Sequence, residues 1–475
     1  MTQRELDTII LDLWRRVRGE RAPASRAVAA VLGSLPELAN GERERIVGTL
    51  YGMLTHARRI EHALVNAEAR PTDGARLLAY RVLLEKLPSA KAAARNPGVD
   101  WERVLAADAA LPDGSDAVER IGVRASLPDF LARRVVDQYG TEAEALALSL
   151  TKRAPLTVRV NTLKVTRQQV FGELSKEGLS VRPGRLASTA IEFVEHVNVF
   201  ALPQYAEGLI EVQDEASQLV AEVVAPPPHG LVIDYCAGAG GKTLALGALM
   251  RNQGRLIAMD THARRLAELR QRARRAGLGN VQVIILGPGA AGSAERPTGR
   301  RGDGETGGNS RRGDAATRRH GETARMRDAG RGRPEERHEP ENERFLGKAD
   351  RVLVDVPCSG VGAFRRRPEM RWRLSEEDLE RLPREQEAIA RSAMLLCAPG
   401  GRLIYATCTL LAEENERVVE RLLDGSDFQL VPIKEILGKE RATPITDPTG
   451  SFLKLLPHKH TCDGFFAAVL RRRKS

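Results

Sequence analysis

Leu231-Val232-Ile233-Asp234-Tyr235-Cys236-Ala237-Gly238-Ala239-Gly240-Gly241-Lys242-Thr243 begins as a short apolar run and turns abruptly into small residues. The run through Tyr235 reads as a buried strand. The residues after it open a helix, where a backbone without bulky side chains lets amide groups approach a ligand closely. This is a nucleotide-type loop. A phosphate-binding P-loop is the rival reading, but that pattern requires a second glycine five positions before Gly241, and Cys236 stands there.

Outward from this loop the same rhythm repeats. Residues 256–259, 281–286, 351–356 and 402–406 are further short apolar runs, separated by helical stretches. Strand and helix in alternation predict a doubly wound, mostly parallel α/β sheet with helices on both faces. The second run ends in Asp260, about twenty residues beyond the glycines, where an acidic side chain receives ribose hydroxyls in such folds. Its plainer role is to cap the next helix.

Two cysteines follow two of these runs. Cys358 lies in Asp355-Val356-Pro357-Cys358-Ser359-Gly360, and Cys408 lies in Ala406-Thr407-Cys408-Thr409. If both strands are parallel, their carboxyl ends meet at one edge, the edge where open α/β sheets bind ligands. Two thiols delivered there from distant segments predict a shared active site. A single cysteine would more simply be a small buried hydrophobe, and that is the reading for Cys397, closing an apolar helix face with Ile389, Ala393 and Leu396, and for Cys462, before a final strand. The nine histidines form no metal-ligand spacing, and no Ser-His-Asp set stands out.

The 73 Lys+Arg against 63 Asp+Glu give a formal charge of +10, which favours a polyanionic partner. Five cysteines without paired spacing point to a reducing compartment, and no apolar run reaches membrane-spanning length. A cytoplasmic monomer is therefore expected, without membrane or metal.

Residues 1–125 read as an all-α bundle, with Leu6, Ile9, Ile10, Leu13 and Val17 at three- and four-residue steps and with Arg15, Arg16, Arg18, Arg58 and Arg59 as possible RNA contacts. Residues 126–205 form a small α+β connector that includes Arg159-Val160-Asn161-Thr162, and 206–475 carry the sheet. One stretch breaks the pattern: residues 287–344 contain no Ile, Leu, Val, Phe, Trp or Tyr, with 13 Arg against 11 Asp+Glu. Such a composition builds no core, so a disordered surface loop inserted between two strands is expected.

Together these residues resemble the RNA cytosine-5 methyltransferases of the Sun/NOL/NOP2 type, a group that includes bacterial small-subunit ribosomal RNA enzymes. The resemblance covers most of 126–475. It rests on 355–360, on Thr407-Cys408-Thr409, on the loop at 234–243, on Gln213-Asp214-Glu215-Ala216-Ser217, on Arg159 to Thr162 and on Asp463-Gly464-Phe465-Phe466. A second, local likeness over 43–64 is to a NusB-like RNA-binding bundle.

The resemblance implies a Rossmann-like class I methyltransferase domain that uses S-adenosyl-L-methionine and acts on RNA, small-subunit ribosomal RNA first of all. It implies Cys408 as the nucleophile that adds to carbon 6 of cytosine, Cys358 as the thiol that assists release, and Asp355 at ring nitrogen 3 and beside the cofactor. Cys236, Ala237, Gly238, Ala239, Gly240, Gly241, Lys242 and Asp260 would hold the cofactor. Arg159, Asn161, Arg365 and Arg366 would meet RNA, and Arg365 to Arg367 would also favour the thiolate. The chain departs from the family pattern at Ala239, where many relatives carry proline, and at Gly287-Pro288-Gly289, where an acidic residue usually stands near the adenine. Two rivals remain open from sequence: a non-catalytic RNA-binding or ribosome-assembly factor on the same fold, and a DNA cytosine methyltransferase, against which the second thiol at 408 argues.

Overall fold

The first helix, Gln3–Arg18, starts where Thr2 and Glu5 form a reciprocal capping box, and it buries Leu6, Ile10, Leu13 and Val17 on one face. In the computed structural model, which describes residues 1–110, 116–195, 197–287 and 343–474, that face joins helices Ala24–Gly33 and Asn40–Thr55 in a small core. The insertion expected over 287–344 lies outside the described residues except for Gly287, Glu343 and Arg344. The arginines of the bundle are engaged internally. Arg15 pairs with Asp73, Arg16 with Asp12, Arg58 with Asp129 and Arg59 with Asp108, while Arg18 lies over the rings of Trp14 and Trp372.

A connector follows. Strands β1 (Leu156–Val160), β2 (Val181–Pro183), β3 (Ala190–Phe193) and β4 (Ile210–Val212) form an antiparallel sheet in the order β2-β3-β1-β4. Its fourth strand lies beyond the expected limit at residue 205, because three apolar and polar residues between a glycine turn and Gln213 are too short a run to announce a strand by pattern. Pairing of Val158 with Val212 fixes it in place.

The main sheet contains β5 (Leu231–Asp234), β6 (Arg255–Asp260), β7 (Val281–Ile285), β8 (Ala349–Asp355), β9 (Cys397–Thr407), β10 (Phe428–Val431), β11 (Leu453–Leu455) and β12 (Phe465–Arg472). Their order is β10-β12-β9-β8-β5-β6-β7, with β11 also paired to β12. Strands β5 to β9 pair in parallel, as the apolar runs predict, and β12 enters antiparallel between β9 and β10. Both faces are buried, which is why these runs are continuously apolar rather than alternating. One expectation changes: Cys397 opens β9 and does not close the preceding helix, Glu376–Met394.

The chain steps outward from β5 through β6 to β7, then returns to the other side of β5 with β8 and β9. That reversal creates a crevice beyond the carboxyl ends of β5 and β8, the position where such sheets hold ligands. A buried guanidinium ties this half of the molecule to the bundle. Arg371 is fully buried and donates to the carbonyls of Thr55, Ala125 and Leu150 at 3.0–3.1 Å, and Trp372 Nε1 donates to Leu54 at 3.0 Å.

Candidate active site

The loop after β5 is shaped by two glycines with left-handed backbone, Gly238 at φ +54° and Gly240 at φ +89°. A side chain at Gly240 would meet Leu269 at 2.5 Å, so only glycine lets the loop close onto the helix behind it. Gly238 is different: an added carbon would meet nothing within 4 Å, so its backbone borders open space. The loop is pinned from both sides. Ala237 N–H donates to Met259 O at the end of β6, and Gly238 N–H donates to Asp260 Oδ2 at 2.9 Å. The other Asp260 oxygen accepts from His262 N–H at 2.8 Å, so this carboxylate orders the glycine loop and the turn that leads into helix Ala263–Ala276, which it does not cap.

Below the loop, Asp234 is buried and accepts from the Thr243 hydroxyl at 2.7 Å. Burial pushes its carboxyl up to about 7, and the Thr243 hydrogen bond only partly offsets this. Cys236 is raised well above the ordinary thiol range by burial, then by the charges of Asp234 and Asp355. Its side chain packs against the core beneath the loop. Lys242 Nζ reaches Asp355 Oδ2 at 2.6 Å and lies 5.0 Å from the centre of the Phe465 ring. Burial lowers this ammonium, but the charge and hydrogen bond of Asp355 outweigh it and the group ends raised.

The two thiols meet. Cys358 Sγ and Cys408 Sγ are 3.3 Å apart, at the carboxyl ends of adjacent β8 and β9. Cys358 is pushed far up by its hydrogen bond to Cys408 and then by burial. The hydrogen-bonded contact and the burial thus both favour the protonated form of Cys358.

What holds these loops in register is a residue the sequence reading missed. Glu414 is completely buried. Its carboxylate accepts from Ser359 N–H at 2.9 Å, Gln386 Nε2 at 2.7 Å and Thr409 Oγ1 at 3.0 Å, and also from the Ser359 hydroxyl. Ser359 and Thr409 are the residues directly after the two cysteines, so one carboxylate clamps both thiol loops. Burial raises it despite these donors. Its signal in the sequence, Ala412-Glu413-Glu414-Asn415, looks like the exposed start of a helix. A third segment closes the arrangement: Gly464 N–H donates to Gly362 O at 2.9 Å, and a side chain at Gly362 would meet the Gly464 carbonyl at 2.3 Å.

Four expected RNA contacts take other roles. Arg159 is buried, donating to Gly241 O at 2.7 Å and to Gln213, and Asn161 Nδ2 donates to Gly208 O and Ala276 O, each at 2.9 Å. Both tie the connector sheet to the main sheet. Arg365, with a side chain only 4% exposed, pairs with Asp463 at 2.9 Å. Arg366 pairs with Asp214 at 2.7 Å and with Asp463. These two guanidiniums are paired with buried carboxylates and brace the loop after Cys358.

Among the described residues, no helix is long and apolar enough to cross a membrane, and no group of three or more His, Cys, Asp or Glu side chains is placed to hold a metal. Comparison with known proteins agrees with the geometry. The family model described as 16S rRNA methyltransferase RsmB/F matches residues 221–288 and 335–471, and that of the RsmF/B-like ferredoxin-like domain matches 127–200. A probable ribosomal RNA small subunit methyltransferase B of Bacillus subtilis is 30% identical over 75% of this chain and 69% of its own length. The 26S rRNA (cytosine-C(5))-methyltransferase nsun-1 of Caenorhabditis elegans is 29% identical over 72% of this chain and 46% of its own. In fold, the crystal structure of PH0851 aligns over 99% of both chains at a TM-score of 0.73 and 24% identity. With two paired thiols at the switch-point edge, a glycine loop beside them and these matches on either side of the insertion, the chain belongs to the RsmB/F family of ribosomal RNA methyltransferases.

Proposed function

We propose that this protein methylates carbon 5 of a cytosine in ribosomal RNA, using S-adenosyl-L-methionine and a transient covalent bond between Cys408 and the base. The observation that carries the reading is the 3.3 Å approach of Cys358 and Cys408 beside the Lys242–Asp355 pair. Carbon 5 of cytosine is a poor nucleophile until an electron pair is added at carbon 6. The Cys408 thiolate forms that bond, and the ring electrons move to carbon 5 and toward nitrogen 3. Asp355, 28% exposed in its side chain, is the group at hand for a hydrogen bond to that nitrogen. Once carbon 5 has taken the methyl group, Cys358 beside the adduct gives its own proton to solvent and as thiolate takes the carbon 5 proton, so that the double bond re-forms and the Cys408 thiolate leaves.

When bound, S-adenosyl-L-methionine supplies an electrophilic methyl group on a sulfonium. The loop fits such a group: Gly238 backs onto open space, Asp260 lies at the end of β6, and Asp355 offers a carboxylate to a positive centre. An unpaired or flipped cytosine is required, because neither carbon 5 nor carbon 6 is accessible within a stacked helix.

The test uses Cys408→Ser and Cys358→Ser with ribosomal RNA and cofactor. The first variant loses methyl transfer, by at least ~1000-fold if covalent catalysis carries the step. The second accumulates a protein–RNA adduct that survives denaturing electrophoresis. Near-normal turnover in both variants would remove the mechanism, and absence of 5-methylcytosine from RNA treated with wild-type protein would remove the function.

A further inference from the structure

The opposite edge of the main sheet carries a second constellation. Arg351 on β8 lies directly opposite Arg402 on β9, and Arg402 lies directly opposite Arg471 on β12. Residues in direct register across neighbouring strands project to the same face, so three guanidiniums stand side by side in one rung. One rung inward on that face the same three strands place Leu353, Ile404 and Val469, all fully buried. The arginine rung is thus the rim of the core. It borders a cleft of about 430 Å³ that Arg473 and Lys474 also line.

Like charges directly opposite each other are destabilising, and among the described residues the charges of Asp350 and Glu435 oppose this on Arg351 and Arg402 only from beyond ion-pair contact. Among the described residues, no carboxylate lies within ion-pair distance of Arg351, Arg402 or Arg471. The nearby acids are engaged: Asp350 accepts from Leu231 N–H at 2.8 Å, and Asp427 pairs with Arg472. Arg351 satisfies part of its fork on the carbonyls of Val224 and Asp350, while Arg471 Nε is buried without a partner. Burial first, and then mutual repulsion, depress Arg351 to about 10 and lower Arg402. A row of donors held under repulsion at the lip of a cleft is a site for an anion with several oxygens, since a guanidinium pairs with phosphate through two parallel hydrogen bonds.

We infer that the Arg351–Arg402–Arg471 rung is a phosphate-binding track for the RNA backbone, remote from the reacting thiols. Six residue steps lead from Arg402 on β9 to Cys408 just past its end, about 20 Å at roughly 3.3 Å per residue. An RNA gripped here therefore holds its target base several nucleotides away from the grip. RNA is the occupant because the cleft is open, the neighbouring tail Arg471-Arg472-Arg473-Lys474 extends the charge along the edge, and a polyanion engages such a line where a single small anion would not. The inference rests on the proposed function only for the identity of the nucleic acid.

The experiment measures binding of a labelled single-stranded RNA to the full chain across a series of salt concentrations. The proteins compared are wild type, Arg402→Ala/Arg471→Ala and Arg402→Lys/Arg471→Lys. Loss of two phosphate contacts lowers the slope of log affinity against log salt by about 1.4 and weakens binding roughly 25-fold near ~0.1 M salt. The lysine pair restores the slope, which a purely structural role would not do, and thermal unfolding of the alanine pair stays at or above wild type because repulsion is relieved. An unchanged slope in the alanine pair overturns the inference. So does loss of thermal protection by inorganic phosphate with RNA binding intact, which would mark a small-anion site. Neither result touches the cysteine adduct, while failure of wild type to make 5-methylcytosine with the slope difference intact would sink the proposed function alone.

Discussion

The two edges of the main sheet handle charge in opposite ways. At the carboxyl edge every strong charge around the thiols has a partner within the chain: Lys242 with Asp355, Arg365 with Asp463, Arg366 with Asp214 and Asp463, and Glu414 with four donors. At the amino edge, Arg351, Arg402 and Arg471 face one another and, among the described residues, none of them has a carboxylate within ion-pair distance. The difference separates positioning from recruitment. Chemistry at the thiols needs atoms held still, which internal pairing provides; attracting a polyanion needs charge that the protein itself leaves uncancelled.

Breaking the carboxyl-edge pairing has the largest expected effect. Asp463→Asn takes the carboxylate from the buried Arg365 and leaves Arg366 with Asp214, and removing one partner of a buried pair costs about 3–5 kcal/mol. Urea unfolding measures this. Asp427→Asn is the matched control at the other edge: with side chains 31% and 55% exposed, the Arg472–Asp427 pair contributes about 0–1 kcal/mol. Equal losses in the two variants would erase the distinction drawn between the edges.

Glu414→Gln probes positioning more finely. Glutamine keeps the size of the side chain but replaces one acceptor oxygen with a donor that faces Ser359 or Gln386, at a cost of about 1–3 kcal/mol. The expected consequence is a kcat lower by about 100-fold, the effect of an ångström of misplacement in a reacting pair, with RNA affinity unchanged. Single-turnover methyl transfer beside the salt slope of RNA binding separates the two readouts.

The smallest effect is in pH dependence. Asp234 titrates at about 7 in the folded protein against an ordinary 3.8, so between those values the folded state holds a proton that the unfolded state has released. Stability therefore falls as pH rises through that window, and it is fully present below it. Asp234→Asn removes this fall while keeping the contact to Thr243. Denaturant unfolding at several pH values should give a flatter profile than wild type across this interval, and identical profiles would show that Asp234 carries no such shift.

Much of this was legible from residue order. Continuous apolar runs identify strands buried on both faces, and the rule that parallel strands share a ligand edge brings Cys358 and Cys408 together although 50 positions separate them. The glycine loop is legible for the same kind of reason: only residues without side chains satisfy its turn and its close helix contact. What could not be read depends on long-range pairing. Arg365 and Arg366 look like solvated loop residues until Asp463, nearly a hundred positions later, is folded against them. Arg159 and Asn161 look like RNA contacts until carbonyls of the main sheet's loops and helices meet them. Glu414 sits in an ordinary acidic turn, and the arginine rung exists only once strand register is known.

The antiparallel strand β12 adds a consequence in time. Phe465 on it lies beneath Lys242, and Asp463 and Gly464 just before it brace Arg365, Arg366 and Gly362. During synthesis, the thiol of residue 408 is made long before these supports. A nascent polypeptide still attached to its translating ribosome at residue 460 thus has both cysteines but no assembled centre. Under the proposed function, the paired thiols gain these supports only once the final strand has taken its place between β9 and β10.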